Sequence, residues 1–557
     1  MSDALNRADL LLLAAVFVPL VLALAAIKPW VRRRADVLLL AAPLPGLVAA
    51  LLVPVGQSVL VVPAPFRLTF ALDGPGALLL GGAALLWLAA GAYAVSYLRD
   101  DPARGTFSVW WLLTLSGSFA VFLVADVASF YLAYAVVSFS AYGLATHDDS
   151  VEARRAGRVY LALTVLGEAL LIAAFVMLAS GASEANPLIR DAVAGLPASP
   201  WRGAILALLL VGFTMKMGLF PLHVWMPLAH AVAPVPGSAV LSGIVVKAGV
   251  IGLIRFLPEG VAAFAWGAGL MAAGLFTAFY GVAVGLTQRH PKRALAYSTV
   301  SQMGVVAVVL GAGLKAGDAA VPALAAFYAV NHMLLKGAMF LTVGVAAACP
   351  RTRLVPVLVV AAVLGFSLAG LPFTGGALAK YAVKAPVGDG LPGLLLALSA
   401  GGTTVLMARY VLLLLEAGKG GARAEAPVAR GQLVPWALLS GGAVLAPFAL
   451  FPLVAGQGLG AAFSVDALIK GLWPVALGLA VAALLYQRPP RVGEVPAGDI
   501  LALARPLVAL FARVVDAAAV LDAVLRRWST AALALVLLAL ALAYVMADAV
   551  FAPGIGP

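Results

Sequence analysis

Apolar runs long enough to cross a lipid bilayer follow one another along almost the whole chain, and no other feature limits its fold more. Most are about 18 to 25 residues long and are separated by short polar or Pro/Gly-rich connections, the spacing of membrane-spanning helices rather than the ~10-residue alternating strands of a barrel. Of the 557 residues 64% are hydrophobic and only 11% charged, which is too apolar for a water-soluble domain. The expected fold class is all-α and polytopic. Candidate crossings fall near residues 9–27, 37–55, 76–98, 107–124, 126–145, 157–180, 203–220, 236–257, 260–285, 294–314, 319–348, 354–387 (interrupted), 391–416, 432–455, 471–486 and 529–551. That is about 14–16 transmembrane helices, depending on how the interrupted runs are counted.

A net charge of +12 would point to nucleic acid in a soluble protein. Here the basic residues lie mainly in connections: Lys28 with Arg32, Arg33 and Arg34; Arg154, Arg155 and Arg158; Arg289, Lys292 and Arg293; Arg351 and Arg353; Lys419, Arg423 and Arg430; and the Arg-rich stretch 488–527. All of these are odd-numbered loops, so the positive-inside rule makes them cytoplasmic and puts both termini on the outer side. The charge reports orientation in the cell inner (plasma) membrane and implies no nucleic-acid partner. The run Leu10 to Ile27 is longer than a signal-peptide core and reads as a retained first helix. Residues 499–527 place Arg505, Arg513, Asp516, Asp522 and Arg526 among apolar residues at helical spacing, the pattern of an amphipathic helix lying on a membrane or on a partner.

An ionisable group near the bilayer centre costs about 2.5–3.5 kcal/mol on insertion scales, so each one inside an apolar run needs a reason. In order they are Asp126, Glu168, Lys216, His223, His230, Lys247, His332, Lys336, Lys380, Lys384 and Arg409. Arg409 and Lys384 lie near helix ends, where a long side chain can reach the interface, and Asp126 is placed to cap a helix. Glu168 is deeper. Lys216 has no acidic neighbour in sequence, and Pro221 removes a backbone hydrogen bond just beyond it, so a helix break is expected there. Lys247 follows a helix restarted after Pro234, Pro236 and Gly237, too far from either end to reach the interface. His332 and Lys336 are four residues apart on one helix face, a spacing across which a proton can pass directly or through one water. Pro372, Gly375 and Gly376 interrupt a second helix before Lys380. Paired discontinuous helices are the sequence sign of an internally repeated transporter with its sites near the midplane. Desolvation disfavours an ammonium group, which makes a buried lysine a switchable proton carrier.

Other chemistries lack their residues. One cysteine, Cys349, excludes an intrachain disulfide or a C-x-x-C cluster cradle. The sequence has neither a nucleotide-binding glycine loop nor an HExxH helix, and the histidines are not at paired ligand spacing, so neither a cofactor nor a metal site is expected.

The run from Lys216 through Pro221, His223, Trp225, Pro227, Ala229, His230, Ala233, Pro234, Ser238, Ala239, Leu241, Ser242 and Gly243 to Lys247 and Gly249 resembles the central signature of the antiporter-like, proton-conducting membrane subunits. These are the large membrane subunits of complex I, the subunits of membrane-bound hydrogenases and formate hydrogenlyases, and the Mrp-type cation/proton antiporters. AYSTVSQMG at 296–304, NHMLLKGAMFLTVG at 331–344 and AGLPFTGGALAK at 369–380 extend the resemblance over roughly residues 60–455. The resemblance implies two inverted five-helix repeats with broken helices holding Lys216 and Lys380. It also implies a proton line through Lys216, Lys247, His332, Lys336 and Lys380, to which Glu168 and His230 are added here as candidates. The corresponding division of the chain is 1–106, 107–257, 258–416, 417–486 and 487–557. Partners would be other membrane subunits of a multi-subunit complex and its redox subunits, with protons or sodium moved across the bilayer. A complex I-related or hydrogenase-type subunit is favoured over an Mrp-type subunit and over a structural subunit that has lost coupling.

The sequence departs from the family in its fifth helix. There the family usually carries Trp-Glu, the Glu partnering the lysine that matches Lys216, whereas this chain has Tyr134 and Ala135. Three alternatives follow: Glu168, or less well Asp126, substitutes for it; Lys216 works without a carboxylate; or coupled pumping is lost.

Overall fold

A computed structural model describes residues 6–63, 66–182, 184, 186–417, 428–488 and 493–503. Among these, fourteen helical stretches are long and apolar enough to cross a bilayer. Helices dominate because lipid offers no partner to backbone N–H and C=O groups, which must then bond within their own segment. In chain order the main elements are α1 (Arg7–Ala25) and α2 (Ala35–Leu52), then an antiparallel hairpin of β1 (Ser58–Val62) and β2 (Leu68–Ala71). There follow α3 (Gly74–Tyr97), α4 (Arg104–Leu123), α5 (Val127–Ala145), α6 (Val151–Ala179), α7 (Arg202–Met217), α8 (Trp225–Val232) and α9 (Val235–Phe256). The rest are α10 (Phe264–Thr287), α11 (Pro291–Ala316), α12 (Val321–Ala348), α13 (Leu354–Ala369), α14 (Gly375–Val387), α15 (Leu391–Ala417), α16 (Arg430–Ala455) and α17 (Val465–Gln487).

Both expected interruptions are present. α7 stops at Gly218, whose φ of 76° lies in the left-handed region that glycine tolerates. With 16 residues it is too short to cross by itself, and the chain resumes as α8. α13 stops at Gly370, φ 92°, and resumes as α14 after the Thr374 hydroxyl caps Ala377. Pro234 and Pro236 start α9, which then opens into a π-helical turn at Leu241–Val245.

The chain divides into two units, Met1–Ala497 and Gly498–Pro557. Within the first, burial identifies the centre. The membrane windows of α9 and α11 are 100% buried and that of α12 94%, against 17% for α17, so α9, α11 and α12 form the axis and α17 the periphery. Of the second unit only Gly498–Leu503 is described, with a helical Asp499–Leu503. The rest of the amphipathic stretch 499–527 and the crossing at 529–551 lie outside the described residues.

Some expectations need correction. α6 begins at Val151, so Arg154, Arg155 and Arg158 sit in its first turns rather than in a connection. Lys292, assigned above to a loop, is in the first turn of α11 and is 8% exposed. The hairpin went unforeseen because SVLVV at 58–62 is one more apolar run in a chain full of them. Its β2 strand is held by Asp126, which caps α5 through the Ser129 N–H and also accepts from the Thr69 N–H and the Asn186 amide, all within 2.8–2.9 Å. Arg255 at the end of α9 pairs with Asp73, which caps α3, and donates to the carbonyls of Val121, Phe122 and Val124 at the end of α4. That one side chain ties three helices together.

α10 and α11 approach closely because glycines recur every seven residues on their shared face: Gly267, Gly274 and Gly281 on one, Gly304 and Gly311 on the other. A Cβ at Gly274 would lie 2.6 Å from the Gly304 carbonyl oxygen, whereas one at Gly269 would meet nothing within 4 Å. Gly274→Leu is therefore expected to destabilise the protein by about 1–3 kcal/mol or more, with Gly269→Leu near neutral. Thermal unfolding of the solubilised protein checks this, and equal melting temperatures for the two variants would refute the close-packing assignment.

Candidate functional site: a buried line of lysines and histidines

At the first break Lys216 sits in the last turn of α7, 7% exposed. Its ammonium nitrogen lies 5.6 Å from the ring centroid of Tyr134 and 5.5 Å from that of Tyr160, within cation–π range. The carbonyl of Met215, freed by the helix end, is taken by the Trp225 indole N–H at 3.1 Å. Lys216 and Glu168 of α6 line the same cavity, about 20 Å³, which has room for about one water. Tyr134 lines it too; Ala135 does not. Neither Glu168 oxygen nor the Tyr134 hydroxyl has a hydrogen-bond partner among the described residues, and the nearby Ser138 hydroxyl donates to the Tyr134 carbonyl instead. The cavity has room for the one water that could partner them.

The central cluster lies on α9, α11 and α12. Lys247 donates to the Ser242 carbonyl of the π-helical turn at 3.2 Å and sits 2.6 Å from Nδ1 of His332. Ser242 in turn shares a 2.7 Å hydroxyl bond with Thr299 of α11. Lys336, one turn beyond His332, points to α11, bonding the Leu295 carbonyl and the Ser298 hydroxyl, each at 2.5 Å. The structure thus joins His332 to Lys247, and the same-face pair His332/Lys336 makes its closest bonds in different directions. His230, at the end of α8, stacks on Phe340 at 4.9 Å, and the Lys336 ammonium lies over the same ring at 5.4 Å. Both His230 nitrogens are buried with no hydrogen-bond partner among the described residues.

At the second break Lys380 of α14 donates to the Ala369 carbonyl, the last of α13, at 2.6 Å. It is only partly buried and lines a cavity of about 150 Å³. Lys384 and Asp466 line that cavity as well, Lys384 paired to Asp389 at 3.0 Å. Arg409 pairs with Glu416 at 3.4 Å, which fits the helix-end reading of both basic residues.

Sequence reasoning missed the groups that connect these lysines. Between Lys336 and Lys380 run Ser298, then Gln302, which accepts from the Tyr328 hydroxyl at 2.6 Å and donates to Thr403 at 3.1 Å. Thr403 bonds the Ser399 carbonyl at 2.9 Å, and Ser399 lines the Lys380 cavity. The available signal was a helix, α11, carrying Ser298, Thr299, Ser301 and Gln302 within a fully buried window. Uncharged polar residues carry a weaker insertion cost than ions and so stood out less.

The profile of the NADH:quinone oxidoreductase/Mrp antiporter transmembrane family matches residues 124–401, about half of the chain. The chain belongs to the antiporter-like membrane-subunit family. It is 29% identical to hydrogenase-4 component B of Escherichia coli over 291 residues, 50% of this chain and 43% of that protein. It is 30% identical over 312 residues to Na(+)/H(+) antiporter subunit A1 of Staphylococcus saprophyticus, 52% of this chain and 38% of that one. The chain thus spans less than half the length of these relatives. Among solved structures the Mrp complex of a Dietzia species aligns with TM-score 0.73 at 23% identity, covering 98% of this chain and 63% of that one. A membrane-bound sulfane sulfur reductase, an archaeal respiratory membrane complex, aligns at 0.67 and 19%, covering 84% and 99%. Family membership and the shared fold make this chain a multi-pass membrane subunit with the broken helices and lysines described above.

Within that site, Lys216 and Glu168 are expected to be energetically coupled. In a double-mutant cycle of Lys216→Met and Glu168→Gln, thermal unfolding should show an interaction of about 1 kcal/mol or more. Additivity within about 0.3 kcal/mol would mean that the shared cavity does not couple them.

Proposed function

We propose that this chain is a proton-translocating membrane subunit of a complex I-related complex, quinone-oxidoreductase-like or hydrogenase-type, seated in the cell inner membrane and driven by redox partner subunits. The observation that carries the reading is the series of buried Lys216, Lys247 and Lys336 and partly buried Lys380, with His332, His230 and the hydroxyl and amide groups of α11 and α15 lying among them. Each lysine would take up and release a proton as a neighbouring charge moves, with histidines and water between them. Glu168 would take the acidic role that Ala135 cannot, stabilising the charged form of Lys216. The two halves around the broken helices would form the inverted repeats implied by the family.

The relatedness to Na(+)/H(+) antiporter subunits raises sodium as the alternative ion. Its chemistry fits the line poorly. A hard alkali cation needs several oxygen ligands, and this line presents mainly ammonium groups, with one carboxylate lining the cavity at each break, Glu168 at the first and Asp466 at the second.

Reconstituting the parent complex in liposomes and following internal pH tests the reading. Lys216→Met, Lys247→Met and Lys380→Met are each expected to reduce proton translocation by roughly 10-fold or more, with subunit assembly retained. Wild-type stoichiometry in all three would overturn the reading, and sodium-dependent, redox-independent exchange would transfer it to the antiporter class. Ala135→Glu is expected to change translocation little, because position 135 does not line the Lys216 cavity.

A further inference from the structure

Lys292 lies beside Arg289 and Arg293 at the start of α11, yet its side chain turns inward. Its ammonium donates to the carbonyl of Ala233, the residue that ends α8 just before Pro234. The Ser238 hydroxyl shares that carbonyl at 3.2 Å and also reaches the His230 carbonyl at 3.4 Å. On the outward side, Arg289 and His290 are exposed, and Asp148 of the α5–α6 connection lies within electrostatic range of Lys292. Glu494, on the segment after α17, holds Arg293 at 3.2 Å, leaving Lys292 without a carboxylate bonded to it among the described residues. On the inward side, Lys292 and Lys336 both lie within electrostatic range of His230. The residues of α11 that bond Lys336, Leu295 and Ser298, follow Lys292 by one and two helical turns, a rise of roughly 5–9 Å.

His230 is the anomaly in this arrangement. A neutral imidazole has one N–H donor and one lone-pair acceptor, and a buried one leaves neither empty. Yet His230 is 0% exposed, stacks on Phe340 and has no protein partner at either nitrogen among the described residues. Water at the ring edges would satisfy both atoms, and Lys292 and Lys336 both lie within electrostatic range of the ring.

We infer that Lys292 is the carrier at the cytoplasmic entrance of the proton line, passing protons through His230 to Lys336. In the step, protonated Lys292 gives a proton through water to one nitrogen of His230. The ring releases its other proton through water to neutral Lys336, and Lys292 is reprotonated from the solvent at its mouth. One positive charge moves inward and the imidazole ends neutral, as its other tautomer. This rests on the proton-translocating reading and adds to it a residue whose basic surroundings otherwise suggest only a topological role.

The rival role is purely structural, with Lys292 merely securing the carbonyl at the helix break. Arginine separates the two, because it keeps the positive charge and can donate to Ala233 but does not release its proton near neutral pH. In the reconstituted parent complex, Lys292→Arg and Lys292→Met are both expected to lose translocation by 10-fold or more, while native gel migration and melting temperature stay near wild type for Lys292→Arg. Lys292→His, shorter but titratable, should recover part of the rate with its pH profile moved to lower pH. Wild-type rates in Lys292→Arg or Lys292→Met would overturn the inference. If Lys292→Arg fails to assemble, the comparison of His with Met decides: a faster His variant supports the carrier role, and equal rates reject it. A wild-type complex that moves no protons would instead refute the underlying reading, so the two failures are distinguishable.

Discussion

The structure depends on one recurring interaction, a lysine ammonium bonded to a backbone carbonyl that a helix break or turn has left available. Lys380 takes the carbonyl that ends α13, Lys292 the one that ends α8, and Lys247 one in the π-helical turn of α9. The last carbonyls of a helix have no intrahelical partner, and in lipid they have no water either. An ammonium drawn into the protein with no carboxylate bonded to it has the complementary problem: it carries three donors that need acceptors. Each satisfies the other. The breaks and the lysines are therefore mutually required, and the sequence places prolines and glycines within a few residues of each of these sites.

In the proposed function that interaction would also provide mobility. An ammonium held by a carbonyl and not by a carboxylate is not locked by a full opposite charge, so its proton remains exchangeable when the local potential changes. Lys216 is the contrasting case. Its helix-end carbonyl goes to Trp225, and its own surroundings are two aromatic faces and a cavity shared with Glu168. The two broken helices are thus unlike in chemistry: one end has a tight, carboxylate-bearing cavity and the other a wider cavity around Lys380 with Lys384 and Asp466. Between them lies the fully buried α11, held against α10 by the glycine repeat, whose inner face presents Lys292, Ser298, Thr299 and Gln302.

Much of this was legible in the sequence because lipid is a severe solvent. Run length alone located the crossings, and Pro221 at the first break and Pro372, Gly375 and Gly376 at the second announced both. Charges stood out as the exceptions in apolar runs, so Lys216, Lys247, His332, Lys336 and Lys380 could be named before any coordinates. Two kinds of information were out of reach. Partner choice needs three dimensions, since His332 is four residues from Lys336 but bonds Lys247, 85 positions away. Lys292 was hidden by its company, because a lysine beside Arg289 and Arg293 looks like a topology signal until its side chain is seen to turn inward.

The fifth helix is where the chain departs from its family. Tyr134 and Ala135 stand where the family usually has Trp-Glu, and the tyrosine fills the aromatic position against Lys216. The cavity is lined in this structure by Tyr134 and not by Ala135. Glu168 reaches it from the neighbouring helix, and the cost of burying an unpaired carboxylate there is offset by Lys216 across the same small space. The cavity has room for about one water, enough for a single molecule to bridge the pair. On the proposed reading, Glu168 would supply from α6 the electrostatic partnership at the first break that the family usually takes from its fifth helix.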